Sequence, residues 1–174
     1  MIAVSTASAE LPFEIVFARE YPAVVRIAYR VLGDRADAED VAQDLFVRFV
    51  GRRLPDAPVL HLAAVRRALN LLRSRRRQTL REMAECRSRA VLDKSEGRSD
   101  DPFYALNRAT RQSLVRSTLS RLARRDAEIL ALRYSGASYR DIAQTLRIES
   151  THVGTRIARA ERAFRSEIER ATKR

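Results

Sequence analysis

The chain has 174 residues, 45% of them hydrophobic, enough for one larger domain or two small ones with packed cores. Lysine and arginine outnumber the acids 34 to 22, a net of +12 that favours a polyanionic partner and says nothing about fold. No run approaches the roughly 18 uninterrupted apolar residues of a membrane span, a lone Cys86 excludes an internal disulfide and fits a reducing cytoplasm, and two distant histidines do not make a zinc site with it.

Glycine and proline are scarce, at five each, and apolar residues recur at helical spacing almost throughout, so the chain reads as all-α. The opening MIAVSTASAE has neither a basic start nor a long apolar run. It does not resemble a secretory signal, and residues 1–9 are expected as a short disordered tail. Phe13, Phe17, Val24, Ala28, Val31 and Leu32 then mark one face of a first helix. Pro22 interrupts it, so the helix either starts afresh there or kinks. Gly33 stands in the usual place for a left-handed cap. Asp37 and Asp40 are the expected start of the next helix. Val41, Leu45 and Phe49 mark its buried face, and Asp40, Gln43 and Asp44 form an acidic strip opposite. A solvated face is the ordinary fate of such a strip.

Pro55 and Pro58 punctuate a loop. A third helix follows, with Leu62, Val65, Leu69 and Leu72 buried at steps of three, four and three. Its exposed side carries Arg66, Arg67, Asn70, Arg73 and Arg77, and it runs into RSRRR at 73–77. Residues 66–89 hold nine arginines against two glutamates. An arginine face is often mere soluble surface, but like charges this close repel, and a phosphate backbone relieves the repulsion. Residues 93–101 (DKSEGRSDD) hold four acids and two bases with little apolar surface, and read as a solvated linker. The chain thus divides into a tail at 1–9, a first domain at 10–88, a flexible linker at 89–105 and a second domain at 106–174.

In the second domain a helix carries Leu114, Val115, Leu119 and Leu122. A short helix over 124–134, with Ile129, Leu130 and Leu132, comes next, and Ser135-Gly136-Ala137 turns the chain. Ser138 and Asp141 form a Ser-x-x-Asp start, able to satisfy two free N–H groups of a helix. Ile142, Ala143 and Leu146 give that helix an apolar face. Ile148 packs the turn, and Glu149 or Ser150 caps the second helix. Val153, Ile157, Ala160 and Phe164 form its buried stripe. Thr151, His152, Thr155, Arg156, Arg159 and Arg162 lie opposite, and hydroxyls and guanidinium groups are the types that reach base edges and phosphates. The pattern is a helix-turn-helix set up for a major groove. The bland alternative is two amphipathic helices of an ordinary bundle.

Three blocks together resemble one family. GDRADAEDVAQDLFVRFV at 33–50, AAVRRALNLLRSRRR at 63–77 and RLARRDAEILALRYSGASYRDIAQTLRIESTHVGTRIARAERAFR at 121–165 match, in order and spacing, bacterial sigma factors of the extracytoplasmic-function (ECF) type. The likeness spans roughly residues 10–170. It implies a promoter-specific initiation factor that binds core RNA polymerase and the −10 and −35 promoter elements. By position, Asp37, Asp40, Gln43 and Asp44 would face the polymerase clamp. Arg66, Arg67, Asn70, Arg73, Arg75, Arg76 and Arg77 would meet the −10 DNA. Ser150, Thr151, His152, Thr155, Arg156 and Arg159 would meet the −35 element. An anti-sigma factor is an implied partner. The acidic linker would pass toward the polymerase active-site channel, either mimicking a nucleic-acid strand or serving as a plain tether.

The chain departs from the family pattern in places. Asn70 stands where many members have Asp, and Arg66 where many have Asn. Gly154 replaces a common Lys and Arg147 a common turn Gly. Leu122-Ala123 replaces Leu-Pro, and Phe49 and Val50 stand where a tryptophan is frequent. No paired carboxylates, Ser-His-Asp grouping or Gly-rich phosphate loop suggests an enzyme, and no cofactor is implied. The strongest rival is an operator-binding helix-turn-helix regulator. It shares the last block but needs neither the acidic helix nor the arginine helix. A pure adaptor or anti-sigma protein would have no use for the basic faces.

Overall fold

The computed structural model describes residues 13–52, 54–89 and 103–173, and every regular element among them is helical. In chain order these are α1 (Phe13–Leu32), α2 (Arg35–Val47), α3 (Ala57–Arg89), α4 (Phe103–Arg121), α5 (Arg124–Tyr134), α6 (Tyr139–Leu146) and α7 (Ser150–Thr172). The tail at 1–9 and most of the expected linker lie outside the described residues. Arg89 still belongs to α3, and residues 103–105 already belong to α4.

α1 passes through Pro22 without restarting, and the proline sits on its exposed side. Val24, Ile27, Ala28, Val31 and Leu32 are buried. Gly33 closes the helix at φ +72°, its N–H donating to the Tyr29 carbonyl at 2.7 Å. The next helix starts earlier than the sequence suggested. Asp34, not Asp37 or Asp40, is the N-cap of α2, and its Oδ1 accepts the Asp37 N–H at 2.9 Å. An extended residue before the first turn is what capping needs, and Asp34 follows the glycine directly. The buried aromatic is also shifted. Phe46 is 2% exposed and packs edge-on against Phe17 at 5.0 Å, whereas Phe49 falls in the turn beyond α2 and is half-buried.

Pro58 lies inside the first turn of α3, where its missing N–H has no intrahelical partner to lose. Leu60, Ala64, Val65, Ala68 and Leu69 are buried, so small residues let α1 and α2 approach this helix closely. Residues 77–85, beyond the packed part, are exposed.

The second domain wraps α5, α6 and α4 around α7. Leu119, Leu122, Ile129, Leu130, Leu132, Ile142, Val153, Ile157 and Ala160 form its interior. Val115, expected inside, is 41% exposed.

The two domains are not held apart. α3 packs against α4, α5 and α6, and α1 against α5, so the buried residues make one continuous cluster. Arg116 of α4 lies over Gly33, with its guanidinium where a Cβ would stand. Val31, Leu119, Leu130 and Phe164 line an apolar recess of about 390 Å³ on this seam.

Candidate nucleic-acid interface

The α6–turn–α7 unit has the geometry its sequence announced. Ser138 Oγ accepts the Asp141 N–H at 3.1 Å, and the Ser138 N–H donates to Asp141 Oδ2 at 3.1 Å. The Ser138 hydroxyl also donates to Oδ2 at 2.6 Å, and these bonds hold the Asp141 carboxyl below its ordinary range. Arg147 takes the left-handed turn position at φ +53°, the place where a glycine is free of steric cost. Ile148 donates its N–H to the Ala143 carbonyl at 3.0 Å and ties the turn down.

α7 begins after Glu149, which occupies the N-cap without a side-chain capping bond. Its carboxylate instead lies 3.6 Å from His152 Nδ1. With Val153, Ile157 and Ala160 buried, the helix must turn Thr151, His152, Thr155, Arg156 and Arg159 outward, and these five are exposed on one face. Ser150 is exposed as the first residue of the helix, but it lies three residues before Val153 and seven before Ile157, on the side of the buried stripe.

The first domain arranges its candidates differently. A groove of about 660 Å³ runs between α2 and α3, lined by Asp37, Asp40 and Asp44 on one side and Arg66, Arg67, Asn70 and Arg75 on the other. The acidic strip and the arginine face, which the sequence assigned to separate partners, oppose each other across it. Arg75 grips Asp37 through both guanidinium nitrogens, one bond measuring 2.6 Å. That bond holds the Asp37 carboxyl below its usual range and raises Arg75. Arg67 pairs with Asp44. Asp40, Gln43, Asn70 and Arg77 are exposed, while Arg73 and Arg76 are half-buried.

A second cleft joins the domains. His152, Thr155, Arg156 and Arg159 of α7 line one wall, and Arg66 of α3 lies on the other. Arg125 and Arg147 add positive charge that sequence reading overlooked, and Asp126 and Glu128 offset part of it. Its volume is about 900 Å³.

Glu128 is the buried charge of this cleft that the sequence reading missed. It is 2% exposed on α5, within an otherwise apolar run. Arg66 Nε and Arg124 Nε both donate to its Oε1 at 2.9 Å, and Arg66 Nη2 reaches Oε2 at 3.5 Å. The available signal was an acid flanked by Ala127, Ile129 and Leu130 at positions a helix must bury. Such a carboxylate demands a cationic partner.

Among the described residues no group of three or more histidines, cysteines or acids is placed to hold a metal ion. No helix among them is long and apolar enough to cross a membrane.

Residues 16–78 match sigma-70 region 2, and residues 112–164 match sigma-70 region 4. No curated protein matches the chain. Among solved structures, CnrH in complex with the cytosolic domain of CnrY is similar, at 18% identity and a TM-score of 0.53. The likeness covers 90% of this chain and 87% of that one, and bears on the fold alone. The sigma factor RpoE in complex with the anti-sigma factor NepR from Bartonella quintana aligns at 20% identity and a TM-score of 0.49, over 90% of this chain and 96% of that one.

Proposed function

The chain belongs to the sigma-70 family, with regions 2 and 4 together covering about two thirds of it, and we propose that it initiates transcription in the ECF manner, by a division of labour among its helices. It is an RNA polymerase sigma factor. In this reading α2 meets the core polymerase through Asp37, Asp40, Gln43 and Asp44. α3 meets the −10 DNA through Arg66, Arg67, Asn70, Arg73, Arg75, Arg76 and Arg77. α7 enters the −35 major groove with Ser150, Thr151, His152, Thr155, Arg156 and Arg159. No catalytic centre is part of this mechanism, since the polymerase performs the chemistry. The working compartment is the cytoplasm, and an anti-sigma factor is the natural regulatory partner.

One observation carries the reading. Two arginine-bearing helices, α3 and α7, are each presented by a buried apolar stripe on domains that match the two promoter-binding regions. The apolar cores position these faces, and arginine supplies both phosphate and base contacts.

The test is run-off transcription of a genomic library by purified core polymerase, with and without the protein. New, discrete start sites that appear only with the protein are expected, preceded by two shared sequence elements. An absence of new starts, with binding to an isolated duplex at about 10⁻⁸ M or tighter, would instead identify an operator-binding regulator.

A further inference from the structure

The domain seam is built from the same arginines that the DNA would use. Arg66 is bound to Glu128. Arg73 Nη2 donates to the Leu122 carbonyl at 3.2 Å, and Arg30 donates to the Tyr134 carbonyl. Those carbonyls lie at the C-terminal ends of α4 and α5, where the helix dipole favours a cation. Within the first domain, Arg67 and Arg75 are held by Asp44 and Asp37. Four of the seven candidate −10 residues are therefore engaged inside the chain.

We infer that the Glu128 carboxylate is an intramolecular stand-in for a DNA phosphate, and that its bond to Arg66 latches the molecule in a closed form in which the α3 arginines are engaged within the chain and the exposed α7 face fronts a cleft walled by Arg66. The inference rests on the promoter-binding reading of α3 and α7. Two observations support it. Arg66 meets the carboxylate through Nε and Nη2, the forked approach by which arginine also takes phosphate. The latch also closes the cleft in which Arg66 confronts Arg156 and Arg159. Cations brought together without a polyanion between them repel, and Glu128, which is bonded to Arg66, lowers that repulsion together with Asp126. Its second partner, Arg124, lies on its own helix, so on opening the acid keeps one counter-charge while Arg66 is released whole. Core polymerase or a nucleic acid strand opens the molecule by offering Arg66 a better anion.

The experiment compares the full chain with Glu128→Gln, Arg66→Gln and the double variant by small-angle X-ray scattering, with helicity followed by circular dichroism. Binding of a fluorescent single-stranded DNA, without polymerase, is measured for the parent and Glu128→Gln. Glu128→Gln is expected to enlarge the radius of gyration and tighten single-strand binding about tenfold, as the binding-competent fraction rises. Arg66→Gln is expected to open the molecule equally, and the double variant no further than either single one. Unchanged dimensions and unchanged strand affinity in a fully helical Glu128→Gln overturn the latch. If that variant loses helicity, Arg66→Gln decides alone, and unchanged dimensions there overturn it as well. Run-off transcription on the same preparations separates the two readings. Opening without promoter-directed starts sinks the sigma reading of the DNA faces and leaves the latch. Normal starts with no change in dimensions do the reverse.

Discussion

Arg156 and Arg159 stand one turn apart on the exposed face of α7, backed by the buried Val153, Ile157 and Ala160. Replacing both arginines with alanine removes contacts without touching that support. Transcription from promoters that depend on the −35 element is expected to fall, by about 1–3 kcal/mol for each arginine that reads a base. Wild-type transcript levels in a run-off assay would show that this face does not read DNA. Gly154 lies two residues before Arg156, inside the helix and without positive φ, and an added Cβ meets nothing closer than the Tyr139 ring at 3.7 Å. Gly154→Ala is therefore expected to stabilise the chain by roughly 0.5–1 kcal/mol, read as a rise in melting temperature. Gly33 is the opposite case. It combines φ +72° with Arg116 pressed against it, so Gly33→Ala should cost on the order of 1–2 kcal/mol in the same melt.

Among the elements, α6 owes its start to the Ser138–Asp141 capping box. Ser138→Ala leaves the Asp141 N–H without its acceptor and is expected to cost about 1 kcal/mol, measured by denaturant midpoint at constant slope. α2 and α3 are tied by Asp37 and Arg75, and the pH dependence of that tie has a definite sign. Bonding to Arg75 lowers the folded-state value of Asp37, so the stabilisation is complete above the ordinary carboxylate value, near pH 4. It is lost as pH falls through the lowered value. Asp141 behaves in the same direction. Acid unfolding followed by circular dichroism should show part of its drop removed in Asp37→Asn. An unchanged acid limb in that variant would mean the pair does not contribute.

Across the whole molecule, α3 is packed against α4, α5 and α6, and its Arg66, Arg67, Arg73 and Arg75 are bonded within the chain rather than free for DNA. The chain alone is therefore expected to bind a promoter duplex far more weakly than the 10⁻⁸–10⁻¹¹ M usual for specific complexes, and to gain that affinity only with core polymerase. Gel-shift titrations with and without core enzyme check this. Equal affinity in both would contradict a closed resting form.

Much of this protein was legible in its residues. The apolar stripes located α5 over 124–134, the α6–turn–α7 unit and the outward set from Thr151 to Arg159, because helix period, capping chemistry and turn glycines are local. The boundary of α2 was misread because Asp34, Asp37 and Asp40 are all able caps, and only backbone geometry chose among them. Phe49 was preferred over Phe46 because α2 ends before the stripe reaches it. Local pattern could state that α2 is acidic, that α3 is basic and that Glu128 lies among apolar neighbours. It could not state that Asp37 holds Arg75 or that Glu128 holds Arg66. Those pairs are 38 and 62 residues apart along the chain. Which charges meet depends on how helices cross and how domains dock, and that is settled by packing of the shared core.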